Sequence, residues 1–172
     1  MTINFDIDMD DMMSFQRHYV NTNPAMVKAK RMITYLFPLF ILVFGFVGFY
    51  DRYNRLDIAF IIFLIVISVL WVVFMPKLFI RLTLNRTKKI LSKPGNEIMF
   101  GTFEMRFTNT GFDVKTAAAN SSILWSTIPK ADETRDYFYL YLSQASAYII
   151  PKRKISNADV ESLHALFTTY LL

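Results

Sequence analysis

The sequence predicts a membrane protein of α+β class: a hairpin of two transmembrane helices, followed by a small antiparallel β-sheet or partial barrel with a C-terminal helix. Three observations predict it. Two uncharged apolar blocks of eighteen residues stand seven residues apart. Beyond Pro94 the apolar spacing changes from helical to strictly alternating. The last segment then returns to helical spacing behind a Ser cap.

The blocks are ITYLFPLFILVFGFVGFY, residues 33–50, and IAFIIFLIVISVLWVVFM, residues 58–75. At ~1.5 Å per residue each spans about 27 Å, close to a hydrocarbon core of about 30 Å. Each is apolar on every face, which sets them apart from the amphipathic helices of a small soluble core. A cleaved signal peptide is rejected for the first block, because thirty-two residues precede it and no small-residue cleavage site follows. The linker DRYNRLD, residues 51–57, is short enough to make the two helices antiparallel neighbours. Ten Lys and Arg residues flank the outer ends of the hairpin and two lie in the linker. The positive-inside rule therefore puts both termini in the cytoplasm. Pro38 is expected to kink the first helix, and Gly45 and Gly48 to let its neighbour approach. Neither block holds an ionisable residue, so a channel, pump or transporter lacks its usual material.

Ahead of the hairpin, residues 1–32 form a cytoplasmic segment. Ile3, Phe5, Ile7 and Met9 alternate with Asn4, Asp6 and Asp8, the pattern of a strand with one buried face that needs a sheet to join. Asp10 or Asp11 is expected to cap a short helix, and Asn23-Pro24 to open the helix entering the membrane. The cluster Asp6, Asp8, Asp10 and Asp11 lacks the Gly and closing Glu of a calcium loop and reads as a solvated strand face plus helix caps.

Residues 76–93 continue the second helix into the cytoplasm until Lys93-Pro94-Gly95-Asn96 breaks it. The soluble domain is expected over 94–172, folding alone. Its strands are read from Met99 to Phe107, Phe112 to Thr116, Ser121 to Ile128 with Trp125 inside, Tyr137 to Leu142, and Ala147 to Ile150. Asn109-Thr110-Gly111, the polar run KADETRD and SQAS serve as turns. Ser156 caps a helix with Val160, Leu163, Phe167 and Tyr170 on one face.

Leu124-Trp125-Ser126-Thr127-Ile128, the aromatic strand Tyr137 to Leu142, and Ala147-Tyr148-Ile149-Ile150-Pro151-Lys152-Arg153 together resemble the YcxB-like family of bacterial membrane proteins. The resemblance is clearest over 98–155, with two upstream helices in the family's order. It implies a bacterial inner-membrane, multi-pass protein. It also implies a domain similar in layout to pleckstrin-homology-like modules, which have more strands than the five counted here. Such modules bind proteins, peptides or lipids. The family has no agreed catalytic residues to carry over.

The residues themselves supply little for catalysis. Absence of Cys excludes disulfides and Cys-ligated metal sites. The two His, His18 and His164, are isolated in sequence and read as helix-surface or packing residues. The five Gly are dispersed, so no phosphate loop occurs. No catalytic residue, cofactor or metal is expected. The net charge of +5 comes from basic residues beside the apolar blocks, where they would already face bilayer phosphates, so nucleic acid is not expected as a partner.

The expected contacts are with membrane lipids and an unidentified protein. The residues named for them are Lys77, Arg81, Arg86, Lys88 and Lys89 on the second helix, and the basic run Lys152, Arg153 and Lys154. The face formed by Tyr137, Tyr139 and Tyr141 joins them. The plain alternatives are that the first group only orients the hairpin, the second is an exposed turn, and the tyrosines pack. A homo-oligomer is compatible with all of this. The function expected is a non-enzymatic, membrane-anchored interaction module, with an immunity or self-resistance role against a membrane-active toxin or antibiotic as the alternative.

Overall fold

The computed structural model describes residues 1–53, 58–96 and 99–171. The chain forms two compact units, one built from Met1–Gln16 with Thr87–Leu172, the other from Arg17–Arg86. In chain order the elements are β1 (Thr2–Ile7), α1 (Met9–Thr22), α2 (Pro24–Tyr53) and α3 (Ile58–Leu91). There follow β2 (Gly101–Phe107), β3 (Gly111–Lys115), β4 (Asn120–Leu124), β5 (Lys130–Glu133), β6 (Tyr137–Tyr141), β7 (Ala147–Pro151) and α4 (Asn157–Tyr170).

The first unit holds two antiparallel sheets, ordered β1-β2-β3-β4 and β5-β6-β7. The strand ahead of the hairpin therefore completes the sheet behind it. Ile3 lies opposite Met105 and Phe5 opposite Phe103, and the period of two turns Ile3, Phe5 and Ile7 inward to burial. Residues 94–172 are accordingly not the whole domain, because the edge of that sheet and three core side chains come from 1–8. Of the expected linker 51–57, residues 54–57 lie outside the described ones; α2 runs on through Tyr53. Between α3 and β2, residues 97 and 98 also lie outside them, and Gly95, in the turn after α3 has ended at Leu91, has φ +95°, a conformation glycine adopts freely.

Two strand expectations need correction. The third strand stops at Leu124, and Trp125–Thr127 form a 3-10 turn. The strand gives way to the turn because the Trp125 carbonyl accepts from the Ile128 N–H (3.1 Å) and the Thr127 hydroxyl donates back to Leu124 O (2.7 Å), while the indole Nε1–H is held by Thr108 O (3.1 Å). The run KADETRD, read as a turn, contains β5. As an edge strand it buries only Ala131, so its other positions are free to be charged. Seven strands result among the described residues.

The core lies between the sheets and α4. Phe167 meets Phe138 edge-on at 5.2 Å, Phe107 at 6.0 Å and Trp125 at 6.1 Å. β6 is buried along its whole length. Phe138 faces α4, and the alternate residues Tyr139 and Tyr141 pack against Phe15 of α1 at 5.5 and 6.0 Å. Gly111 is required at the β2–β3 turn, since a Cβ there would stand 2.0 Å from the carbonyl oxygen of Ile123.

In the second unit α2 and α3 pack antiparallel. Trp71 donates to Ile33 O at 3.0 Å and stacks near Phe37 at 4.2 Å; at the other end Phe49 and Phe60 stack at 4.3 Å. Gly45 is the point of close approach, where a Cβ would meet Leu64 at 3.1 Å. Gly48 has nothing within reach and does not share that role. Pro38 and Pro76 both lie within their helices.

Candidate interaction surface

The basic residues named in the sequence fall into two groups with different surroundings. Lys77, Arg81, Arg86, Lys88 and Lys89 lie exposed along α3, and among the described residues no carboxylate pairs with them. At 3.6 residues per turn Lys77, Arg81 and Lys88 share one face of the helix.

Lys152, Arg153 and Lys154 are instead engaged inside the first unit. Lys152 Nζ lies 2.6 Å from Glu133 Oε1, donates to Thr134 O at 2.8 Å, and sits 4.3 Å above the Phe138 ring. Arg153 reaches Asp11 at 2.8 Å and the Tyr137 hydroxyl at 2.7 Å. Lys154 bridges Asp8 at 2.6 Å and Asp11 at 2.7 Å, and donates to Asp6 O at 3.1 Å. Asp11 is fully buried; Tyr137 also donates to it at 3.1 Å. Arg153 and Lys154 are thus a clasp holding the start of α1 to the end of β7, and Lys152 ties that end to Glu133 of β5.

The electrostatics follow from this pairing. The hydrogen bond from Lys154, outweighing partial burial, holds the Asp8 carboxyl down at about 2. Burial opposes the charge on Lys154, but the bonds to Asp11 and Asp8 prevail and raise its pKa. The bond to Tyr137 raises that of Arg153. Burial likewise works against ionisation of Glu133, yet Lys152 and His164 lower it on balance. His164 Nδ1 lies 2.6 Å from Glu133, a partner that sequence alone did not indicate.

Tyr137, Tyr139 and Tyr141 do lie on one strand face, as expected, but all three are buried, and burial raises the pKa of Tyr139. No open aromatic face results from them. Asp8 and Asp11, read from sequence as part of a solvated strand face and helix caps, are instead the carboxylates that hold Arg153 and Lys154, with Asp11 fully buried. Asp8, not Asp10 or Asp11, caps α1: its Oδ1 accepts from Asp11 N at 2.9 Å while Asp11 Oδ2 accepts from Asp8 N at 3.1 Å. The readable signal was the opposite charge of two short runs, one before the hairpin and one near the end. Asn23 and Ser156 do cap α2 and α4. Among the described residues no group of three His, Asp or Glu side chains gathers as metal ligands would.

These features define the class: an α+β protein with two helices long and apolar enough to cross a membrane and two antiparallel sheets. Residues 107–167, from the end of β2 into α4, match the family model described as YcxB-like protein, the family that the segments around Trp125, Tyr137–Tyr141 and Ile150-Pro151-Lys152 resemble. No curated protein and no solved structure matches the chain.

Proposed function

We propose that this protein is a non-enzymatic interaction module anchored in the bacterial inner membrane by the α2–α3 hairpin, with both termini cytoplasmic. In this reading the first unit works as a pleckstrin-homology-like domain at the membrane face. Its seven strands in sheets of four and three, with a C-terminal helix, suit that layout better than the five strands counted from sequence. The domain meets a protein partner, and the exposed cations of α3 meet anionic lipid headgroups.

One observation carries the anchor. Large apolar side chains stay exposed all along both helices, among them Tyr35, Phe44 and Phe74, each 60% exposed or more. Water does not tolerate a patch of that extent on a lone protein, whereas hydrocarbon does. The free cations of α3 supply the second part, each worth about 1 kcal/mol near an anionic surface.

The absence of Cys allows the topology to be tested directly. In intact cells a membrane-impermeant maleimide is expected to label Asn54→Cys and to leave Ser143→Cys unlabelled until the cells are opened. Labelling of Ser143→Cys in intact cells would overturn the orientation. For the lipid contact, purified protein is titrated with phosphatidylglycerol and with phosphatidylcholine; equal thermal stabilisation by both would remove the anionic-lipid arm.

A further inference from the structure

The hydrogen-bond alternation of β4 shows what its outer edge offers. At one end of the β3–β4 pair the Trp125 N–H donates to Thr110 O at 3.1 Å, and at the other the Thr116 N–H donates to Ala119 O at 2.9 Å. With Gly111 opposite Leu124 and Lys115 opposite Asn120, both bonds fall on odd-numbered positions of the β4 side. Ser121 and Ile123 therefore turn their N–H and C=O groups toward β3, and Asn120, Ser122 and Leu124 turn theirs outward. Among the described residues β3 is the only strand paired with β4, and Asn120, Ser121, Ser122 and Leu124 are exposed.

Open strand edges invite foreign strands, and proteins usually blunt them with charge, Pro or a covering element. The edge strand β5 follows this practice: Lys130, Asp132 and Glu133 occupy three of its four positions. β1 and β7 run beside each other, with Lys154 seated on the Asp6 carbonyl. β4, with the sequence NSSIL, has neither charge nor Pro.

We infer that the outer edge of β4 pairs with β4 of a second copy of this chain, antiparallel about a two-fold axis at Ser122. In that register Ser122 faces its own copy and Asn120 faces Leu124 on both sides. All three outward positions are then used, forming about six backbone hydrogen bonds, those to Leu124 O taking the lone pair left beside its bond from the Thr127 hydroxyl (2.7 Å). An uncharged strand meets itself without like charges opposed, as an isologous contact requires. A foreign extended segment would gain its specificity from pockets for alternate side chains. The hollow on the outer face beside β4, about 440 Å³, is lined instead by charges of both signs, Glu104, Arg106, Asp113 and Lys115, and gives an apolar side chain no seat. This inference goes beyond the proposed function by naming a partner that reading leaves open, and it stands independently of the topology and lipid tests.

Single-cysteine versions of the full-length protein in native membranes test it, because the chain has no cysteine of its own. A two-fold axis at Ser122 brings the Cα atoms of that position about 5.5 Å apart, within disulfide range. Position 120 is carried about 13 Å from its counterpart. On mild oxidation Ser122→Cys is expected to give a dimer of twice 20.1 kDa. Asn120→Cys alone and the turn control Ser143→Cys are expected to stay monomeric, and Asn120→Cys co-expressed with Leu124→Cys is expected to crosslink. Adding Leu124→Pro to Ser122→Cys removes only an outward donor, so it should abolish the dimer and leave the circular dichroism spectrum unchanged. Ser122→Cys crosslinking no better than Ser143→Cys, equal crosslinking by Asn120→Cys alone, or a link from Ser122→Cys to a different protein would each overturn the inference.

Discussion

Two basic stretches sit in this chain, five cations on α3 and three after β7, and they have opposite fates. Those of α3 stay exposed and pair with no carboxylate among the described residues, whereas Lys152, Arg153 and Lys154 are engaged by Glu133, Asp8 and Asp11. The difference is one of supply. An acidic cluster stands ahead of the hairpin, and the pairing of β1 with β2 carries it to the end of β7. Charge along a sequence thus shows where a contact is affordable, and the fold decides whether it is already made.

The largest expected effect comes from removing β1 together with Asp8, one of the clasp's two carboxylates. Deleting residues 1–8 strips β2 of its neighbour and removes Ile3, Phe5 and Ile7, whose burial contributes about 1.5–3 kcal/mol each. That total is comparable to the whole stability of a domain, about 5–15 kcal/mol. Limited proteolysis is expected to degrade residues 101–171 of the deletion variant while the full chain resists; a resistant fragment would mean that β1 is dispensable.

Asp11→Asn tests the clasp alone. It keeps the shape but leaves Arg153 and Lys154 without their buried carboxylate, at an expected cost of roughly 3 kcal/mol. Denaturant unfolding of the first unit, followed by Trp125 fluorescence in a Trp71→Phe background, measures it. A midpoint unchanged from that background would reduce the clasp to an incidental surface pairing.

Reversing Lys77, Arg81 and Lys88 to Glu should act the other way round. Folding is expected to shift by no more than about 0.5 kcal/mol per site, as for exposed positions. Affinity for phosphatidylglycerol should fall by about 1 kcal/mol per charge. Should the same loss follow from reversing Lys152, Arg153 and Lys154 in a protein that remains folded, the contrast between the two stretches would fail.

Acid gives the smallest effect. Asp8 titrates at about 2 in the folded protein against 3.8 for a free aspartate, so the unfolded chain binds protons first. Its stabilisation is fully present above pH 4 and fades as pH falls from there toward 2. In Asp8→Asn that part of the pH dependence should vanish, and an unfolding curve still as steep between pH 4 and 2 would assign it elsewhere.

The helical part of the fold was largely legible in the residues. Asn23-Pro24 and Ser156 marked helix starts, and two uncharged blocks marked the hairpin, because caps and hydrophobic runs are local signals. Ile3, Phe5 and Ile7 announced a strand but not its partner, which lies about a hundred residues away along the chain. β5 stayed hidden because an edge strand need not alternate in polarity. Trp125 looked like a strand residue because its hydrogen bonds to the Thr108–Thr110 turn cannot be seen from spacing. For the surface, the identity of the cations was readable but their partners were not, since Asp8 and Asp11 satisfy a helix cap and a clasp at once. Likewise Tyr137, Tyr139 and Tyr141 alternate correctly, yet only the fold brings Phe15 over them.

The pairing of β1 with β2 also sets a clock on synthesis. Met1 and Phe107, which exchange backbone hydrogen bonds, are 106 residues apart. At about 5–20 residues per second, β1 waits on the order of 5 to 20 s on the ribosome before its neighbour emerges. Through that interval Ile3, Phe5 and Ile7 are an unshielded apolar comb ahead of the hairpin, while both apolar helices are being made. The strand is a natural client for a chaperone during that wait, and slower translation lengthens its exposure in proportion.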